Sequence, residues 1–169
     1  MKKIYSLLLL LISFGTYAQN EPFRIDSLPK QGIMLDKGWK FHAGDNPDFA
    51  KPDFDDSKWE SIDPTQNIDD LPQIQKAKIG WFRIHLDVDS SLKNTILSLQ
   101  TNQVLAAEFY QNGVFIGNMG VVSKNPKKVQ GFFSFEYYKP VIHHYTGDNT
   151  KQVLAVRFAF HDVVVLFFN

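Results

Sequence analysis

Four side chains that could stack on a ligand or donate hydrogen bonds to it fall on the predicted polar faces of strands. They are Trp81, Arg83, Tyr110 and Arg157. An aromatic ring can cover the apolar face of a sugar, while guanidinium N–H groups donate to its hydroxyls. These residue types predict a binding site for a carbohydrate or another small molecule. In the competing interpretation, Trp81 and Tyr110 pack against a second sheet, as aromatic residues do in sandwich cores.

A second candidate site lies in the acidic, proline-containing segment 45–64. Asp53, Asp55 and Asp56 crowd carboxylate oxygens together, and such oxygens are the ligands that Ca²⁺ prefers. Calcium is therefore the one cofactor that the sequence suggests. The glycine and the terminal glutamate of a helix-loop-helix calcium loop are both missing, however. In the other interpretation, Asp55 or Asp56 caps a single helical turn over residues 57–59.

The sequence contains no recognisable catalytic motif. Glu108 and Glu136 lie on predicted strands, but no feature places them opposite one another, as the two acids of a glycosidase must be. There is no Gly-x-Ser-x-Gly turn that could present a serine nucleophile. His143 and His144 are adjacent and would point to opposite faces of a strand, which is poor geometry for a metal. We therefore expect this chain not to be an enzyme.

The elements that must position these side chains are short strands. Over residues 81–89, apolar side chains alternate with Trp81 and polar residues, which predicts a half-buried antiparallel strand. Asn112-Gly113 lies between two strand-like runs and predicts a tight hairpin, because both central residues of a type I′ turn need positive φ. Further runs cover 33–44, 96–99, 131–138, 141–146 and 153–160. The pattern predicts an all-β fold, an antiparallel jelly-roll sandwich of about eight strands.

The N-terminus resembles a secretory signal peptide over residues 1–18. Lys2 and Lys3 precede an apolar stretch over 4–14 and a small-residue cleavage context that ends at Ala18. The apolar stretch is shorter than the roughly 20 residues that span a bilayer. We therefore expect an extracytoplasmic, periplasmic location. The remaining chain divides into a linker or lead-in strand over 19–32, a β-sandwich domain over 33–160, and a final strand or truncated start of a following region over 161–169.

Composition restricts the class of protein further. The 169 residues include no cysteine, so the fold must be stabilised by a packed core and not by disulfides. Without the predicted leader about 150 residues remain, which is enough for one self-sufficient domain. Basic and acidic residues number 18 each, and a net charge of zero argues against a nucleic-acid partner.

Several motifs, taken in order, resemble a known family. They are Gly38-Trp39-Lys40-Phe41, the loop 52–59 (PDFDDSKW), Gly80-Trp81-Phe82-Arg83, the hairpin 108–117 (EFYQNGVFIG) and the strand 152–157 (QVLAVR). The set is similar to the galactose-binding-domain-like jelly roll at the N-terminus of family 2 glycoside hydrolases. It resembles still more the extracytoplasmic sensor region of Bacteroidetes membrane histidine kinases. The resemblance covers about residues 33–160.

The resemblance implies a function without catalysis. In the sensor group, the domain lies outside the inner membrane, ahead of membrane helices and a kinase. In the hydrolase group it is an accessory module, and a later barrel carries the catalytic acids. We therefore predict an extracytoplasmic recognition domain of a two-component signalling protein, with a carbohydrate or other small molecule as ligand. The alternatives are an accessory domain of a secreted glycoside hydrolase, or a protein-interaction module that uses the aromatic strand 132–138. Either parent protein would add membrane or catalytic domains downstream.

Overall fold

The computed structural model describes residues 21–67, 70–101, 106–131, 141–146 and 148–160, with the backbone alone for 141–144. These residues form β1 (Phe23–Ile25), β2 (Trp39–Ala43), β3 (Glu60–Ile62), β4 (Ile79–Val88), β5 (Thr95–Leu99), β6 (Ala106–Gln111), β7 (Val114–Met119), β8 (Val141–Tyr145) and β9 (Lys151–Ala159). The described part also contains one α-helix, α1 (Pro72–Ala77), and the short 3-10 helices Pro47–Ala50, Ser90–Leu92 and Pro126–Lys128.

The strands form two sheets. The main sheet has the order β3-β2-β4-β9-β6-β7, and β1 pairs with the far end of β4. The second sheet, within the described residues, consists of β5 and β8. All strand pairs are antiparallel except β1 with β4. This confirms the predicted all-β sandwich. The strand count exceeds eight because β1 and β3, of three residues each, are too short to show an alternating pattern.

One face of the main sheet packs on the second sheet and forms the larger core. Period-two alternation directs Phe82, Ile84, Val156 and Phe158 to this face, and all four are buried. The rings of Phe82 and Phe158 stack with their centroids 4.8 Å apart. From β8, the buried Tyr145 donates a hydrogen bond to the carbonyl oxygen of Val88 at 3.2 Å. Burial of apolar surface therefore holds the two sheets together.

The hairpin between β6 and β7 agrees with its prediction. Asn112 has a φ of 49° and Gly113 a φ of 83°, so both central residues occupy the left-handed region that the turn requires. The Asn112 side chain also accepts a hydrogen bond from the backbone N–H of Val153 at 2.7 Å. The hairpin tip is thereby tied to β9 at the centre of the main sheet.

Two local predictions need correction. Helix α1 lies where a polar connection was expected, because a helix of six residues with Ile74 as its one buried side chain is too short to show helical periodicity. Residues 57 and 58 form a turn and residue 59 a bend, closed by a hydrogen bond from the N–H of Trp59 to the carbonyl oxygen of Asp56 at 3.0 Å, and this single turn does not continue into a helix. The Asp55 side chain accepts a hydrogen bond from the N–H of Ser57 at 3.0 Å, which closes a local turn without starting a helix.

Several predictions lie outside the described residues. They concern the signal peptide over 1–18, the aromatic strand over 132–138 with Glu136, and the tail over 161–169. Strand β8 includes His143 and His144, of which the backbone alone is described. Strand β1 falls within the segment predicted as a linker or lead-in strand. Among the described residues, no helix is long and apolar enough to cross a bilayer.

Candidate functional site: the loop-covered face of the main sheet

The four candidate ligand-binding residues lie on one face of the main sheet, opposite the larger core. Trp81 of β4 pairs with Arg157 of β9, while Arg83 of β4 and Tyr110 of β6 both pair with Ala155 of β9. Paired residues on neighbouring strands share a face, and so do side chains two residues apart along one strand. All four side chains therefore lie together on one face of the adjacent strands β4, β9 and β6. The structure therefore brings together residues that the sequence could only place on polar faces.

Residues 45–59, called here the cover loop, lie across this face. Phe49 and Trp59 from the cover loop pack with Trp81 of β4. The ring centroid of Phe49 lies 4.9 Å from that of Trp59 and 6.1 Å from that of Trp81. Trp81 is 1% exposed. The first half of β4 is consequently buried on both faces, which corrects the prediction of a half-buried strand. Trp81 packs against the cover loop and not against the second sheet.

Arg83 holds the cover loop in place. Its guanidinium donates to the Asp56 carboxylate at 2.7 Å, to the carbonyl oxygen of Lys51 at 2.9 Å, and to the carbonyl oxygens of Phe49 and Phe54. The residue is 0% exposed, so its charge must be satisfied inside the protein. Trp81 and Arg83 therefore lie beneath the cover loop and not on the open polar face where the sequence placed them.

Asp56 is the counter-ion of this buried arginine. Its carboxylate also lies 2.9 Å from the ring nitrogen Nε2 of His85. Burial raises the pKa of Asp56, but the hydrogen bonds and charges of His85 and Arg83 outweigh burial and hold that pKa below its ordinary value. Asp56 therefore stays ionised and holds the cover loop on β4.

The three aspartates proposed to bind calcium do not form one ligand set. Asp56 binds Arg83, the Asp55 carboxylate accepts from the N–H of Ser57, and Asp53 lines an open cleft next to His85. Among the described residues, no group of three or more metal-ligating side chains is close enough to hold an ion. The capping interpretation accounts for Asp55 in part, because that carboxylate binds the backbone locally, although no helix follows.

A second ion-pair cluster closes the other end of the cover loop. Arg157 of β9 donates to both carboxylate oxygens of Asp45, at 2.7 and 2.8 Å, and to Glu108 of β6 at 2.9 Å. The Lys124 ammonium lies 3.4 Å from Asp45. Burial raises the pKa of Asp45, but Arg157 and Lys124 outweigh burial and lower it overall. Asp45 thus attaches the start of the cover loop to the sheet.

Tyr110 connects this cluster to the aromatic side chains. Its hydroxyl donates to the Glu108 carboxylate at 2.9 Å, and its ring lies 5.4 Å from that of Trp81 and 5.7 Å from that of Phe115. Burial, followed by the Glu108 carboxylate, raises the pKa of Tyr110 to about 12. The hydroxyl therefore remains a hydrogen-bond donor at neutral pH. Of the four candidates, Tyr110 and Arg157 keep partial access to solvent.

The electrostatics of this face favour a structural role over acid–base catalysis. A carboxyl group that donates a proton near neutral pH needs a raised pKa. Asp45 and Asp56 have lowered pKa values because arginines compensate them. The sequence analysis placed Glu108 on a predicted strand without a partner, and it did not single out Asp45. Neither partnership was visible there, because Arg157 and Asp45 are separated by 112 positions.

Comparison with solved structures identifies the fold. The chain is similar to a glycosyl hydrolase family 2 member from Bacteroides cellulosilyticus, with a TM-score of 0.52, 20% identity and 73% of this chain covered. It is similar to a β-glucuronidase from Bacteroides uniformis, with a TM-score of 0.51, 22% identity and 74% covered. A β-glycosidase from Bacteroides vulgatus gives a TM-score of 0.50, 22% identity and 74% coverage.

These similarities concern the fold alone, since the identities are low. The chain spans 17%, 14% and 16% of the lengths of these three enzymes, in the order given. No protein-family model matches the chain, and no curated protein matches it either. The three structures named here are thus glycosidases several times longer than this chain.

Proposed function

We propose that this chain is a non-catalytic accessory β-sandwich domain of a protein related to family 2 glycoside hydrolases. The observation that carries the proposal is the shared fold with three glycosidases, of whose lengths the chain spans 14–17%. A unit of that size accompanies a separate catalytic domain in the proposed protein. The domain's role is to pack against that catalytic domain and position it.

The side chains of the loop-covered face support a non-catalytic role. Glycoside hydrolysis uses two carboxyl groups at a defined separation, one of which is held protonated. Here Arg83 forms an ion pair with Asp56, and Arg157 forms ion pairs with both Asp45 and Glu108. All three carboxylates therefore act as counter-ions within the fold, which leaves the catalytic acids to another domain.

The proposal departs from the sensor function that the sequence favoured. The solved structures similar to this chain that are named above are glycosidases, and they support the hydrolase alternative better than a histidine-kinase sensor. Export remains part of the proposal, with an extracytoplasmic location directed by residues 1–18. The protein-interaction alternative depends on residues 132–138, outside the described part.

The gene downstream of the Asn169 codon tests the proposal. We expect it to encode a (β/α)₈ barrel with two carboxylates at the C-terminal ends of barrel strands. Apolar helices of about 20 residues followed by a kinase region would contradict it and restore the sensor function. The purified 169-residue chain should not hydrolyse aryl glycosides, and turnover that Glu108→Gln abolishes would also contradict the proposal.

A further inference from the structure

We propose that the exposed end of the loop-covered face, at strands β6 and β7, binds a neutral carbohydrate ring between Phe115 and the Glu108–Arg157 pair. This inference goes beyond the accessory role, which requires no ligand. It concerns Tyr110, Phe115, Glu108, Asn118 and Arg157, called here the platform site.

Phe115 supplies the stacking surface. Its side chain is 53% exposed, although it is large and apolar. The ring meets Tyr110 edge to face, at 5.7 Å and 71°, and Tyr110 rests in turn on the buried Trp81 at 5.4 Å. The exposed ring is therefore held by a row of aromatic contacts. A held ring loses little conformational freedom when a sugar stacks on it, which favours binding.

Within the part of the chain that the structure describes, the neighbouring polar groups use only some of their hydrogen-bonding capacity. Arg157 donates three hydrogen bonds, to Asp45 and Glu108, of the five that a guanidinium can make. Both contacts of Glu108 are made through Oε2, one from Tyr110 and one from Arg157. The side chains of Arg157 and Glu108 are 18% and 22% exposed. Donors and an acceptor are thus fixed in position and still open to solvent.

The strand register gives the platform site the size of a sugar ring. On the β6–β7 hairpin, Tyr110 lies opposite Phe115, and Glu108 lies opposite Asn118. The Asn118 side chain donates to the carbonyl oxygen of Gly120 at 2.8 Å, which orients its amide. Tyr110 and Glu108 are two apart on β6 and so about 7 Å from each other, while a register shift between Phe109 and Tyr110 leaves one extra residue on β7 between Phe115 and Asn118. A single ring stacked on Phe115 can therefore reach Glu108 and Asn118 with its hydroxyls.

Charge balance determines the ligand class. Arg157 faces Glu108 within the platform site, and the adjoining Lys124 faces Asp45, so the platform site and its charged neighbours carry no net charge. A phosphate, a uronate or an ammonium ligand would find no excess of opposite charge there. Hydroxyl groups both donate and accept hydrogen bonds and so suit adjacent guanidinium donors and carboxylate acceptors. A neutral sugar satisfies these requirements and also has an apolar ring face for Phe115.

Saturation-transfer NMR and calorimetry on the 169-residue chain test the platform site. The probes are glucose, galactose, mannose, xylose and their neutral disaccharides, with glucuronate as the charged comparison. We expect at least one neutral sugar to bind, and Phe115→Ala to weaken that binding about tenfold. The control is Val114→Ala, since Val114 is 65% exposed at the same hairpin but lies opposite Gln111, outside the platform site. The control should bind within about twofold of the wild type.

Three results would overturn the platform site. One is that none of the neutral sugars binds the wild-type chain at about 10 mM, a concentration that detects very weak affinities. Another is that Phe115→Ala and Val114→Ala bind equally well. The third is tighter binding of glucuronate than of glucose, which contradicts the charge argument. Glu108→Gln offers a second variant, expected to weaken binding severalfold while circular dichroism reports an intact sandwich. Each of these outcomes is independent of what the gene encodes downstream.

Discussion

The two faces of the main sheet are buried in different ways. The face toward the second sheet is covered by apolar side chains such as Phe82 and Phe158, whose burial needs no specific partner. The opposite face is covered by the cover loop, which is held by the buried Arg83 and the partly buried Arg157. Apolar packing is insensitive to pH, whereas a buried ion pair depends on the ionisation of its carboxylate. The comparison shows that one strand, β4, belongs to two cores of different chemistry.

Phe158→Ala should give the largest loss of stability. Phe158 is 0% exposed and packs against Phe41 and Phe82, so truncation removes apolar burial and leaves a cavity. The expected cost is about 3–5 kcal/mol in the free energy of unfolding. Urea denaturation at pH 7 and at pH 4 measures it. An equal loss at both pH values is expected, and a pH-dependent loss would contradict the conclusion that apolar packing alone buries this face.

Asp56→Asn should lower the free energy of unfolding by nearly as much, but only at pH values at which the Asp56 carboxylate is ionised. The change leaves Arg83 buried without a counter-ion, for which we expect about 3 kcal/mol at pH 7. Asp56 has a folded-state pKa below the ordinary 3.8. Its contribution is therefore present above about pH 4 and is lost as the pH falls through the folded-state pKa. The difference between wild type and variant should shrink in acid. Asp55→Asn is the matched control, with an exposed carboxylate and a small expected effect.

Asp45→Asn should give an intermediate loss in the free energy of unfolding. Arg157 keeps Glu108 as a partner, so its charge is not left alone, and we expect about 1–2 kcal/mol. Thermal unfolding at neutral pH measures the loss. The control is Asp48→Asn, whose carboxylate pairs with Lys51 on the surface. A loss for Asp48→Asn as large as that for Asp45→Asn would show that burial does not set the value of these pairs.

Lys151→Ala should give the smallest loss in the free energy of unfolding. The Lys151 ammonium lies 2.7 Å from the Asp87 carboxylate, the same distance as between Arg83 and Asp56, but the lysine side chain is 65% exposed. Solvent screens such a pair, and we expect a cost below about 0.5 kcal/mol by urea denaturation. A cost near that of Asp56→Asn would mean that distance, and not burial, determines the strength of these ion pairs.

The sequence predicted the apolar face better than the charged face, for a physical reason. Alternation over 81–89 and the Asn112-Gly113 turn are local patterns, and each determines structure within a few residues. The sequence also placed Arg83 and Arg157 on the opposite face of their strands from the apolar core residues, as in the structure. It could not show that the cover loop folds over them. Arg83 and Asp56 are 27 positions apart, and their pairing depends on the order β2-β4-β9 in the sheet.

The sequence identified several residues of the candidate site by their type, but it predicted only part of their exposure to solvent. Trp81 looked available because it alternates with apolar residues, yet Phe49 and Trp59 of the cover loop bury it. Phe115, the exposed ring of the platform site, was not singled out, since a phenylalanine in a strand is expected in the core. Accessibility depends on tertiary contacts, which composition and periodicity do not contain.

The unfolding free energies of wild type and Asp56→Asn at pH 7, each in EDTA and in excess Ca²⁺, test most directly what holds the cover loop on the sheet. The structure shows Arg83 holding the acidic cover loop through Asp56, and we expect no bound ion to contribute. We predict that the variant loses about 3 kcal/mol, and that calcium changes neither protein. A wild-type protein stabilised by calcium, with a loss in Asp56→Asn that disappears in EDTA, would contradict the account.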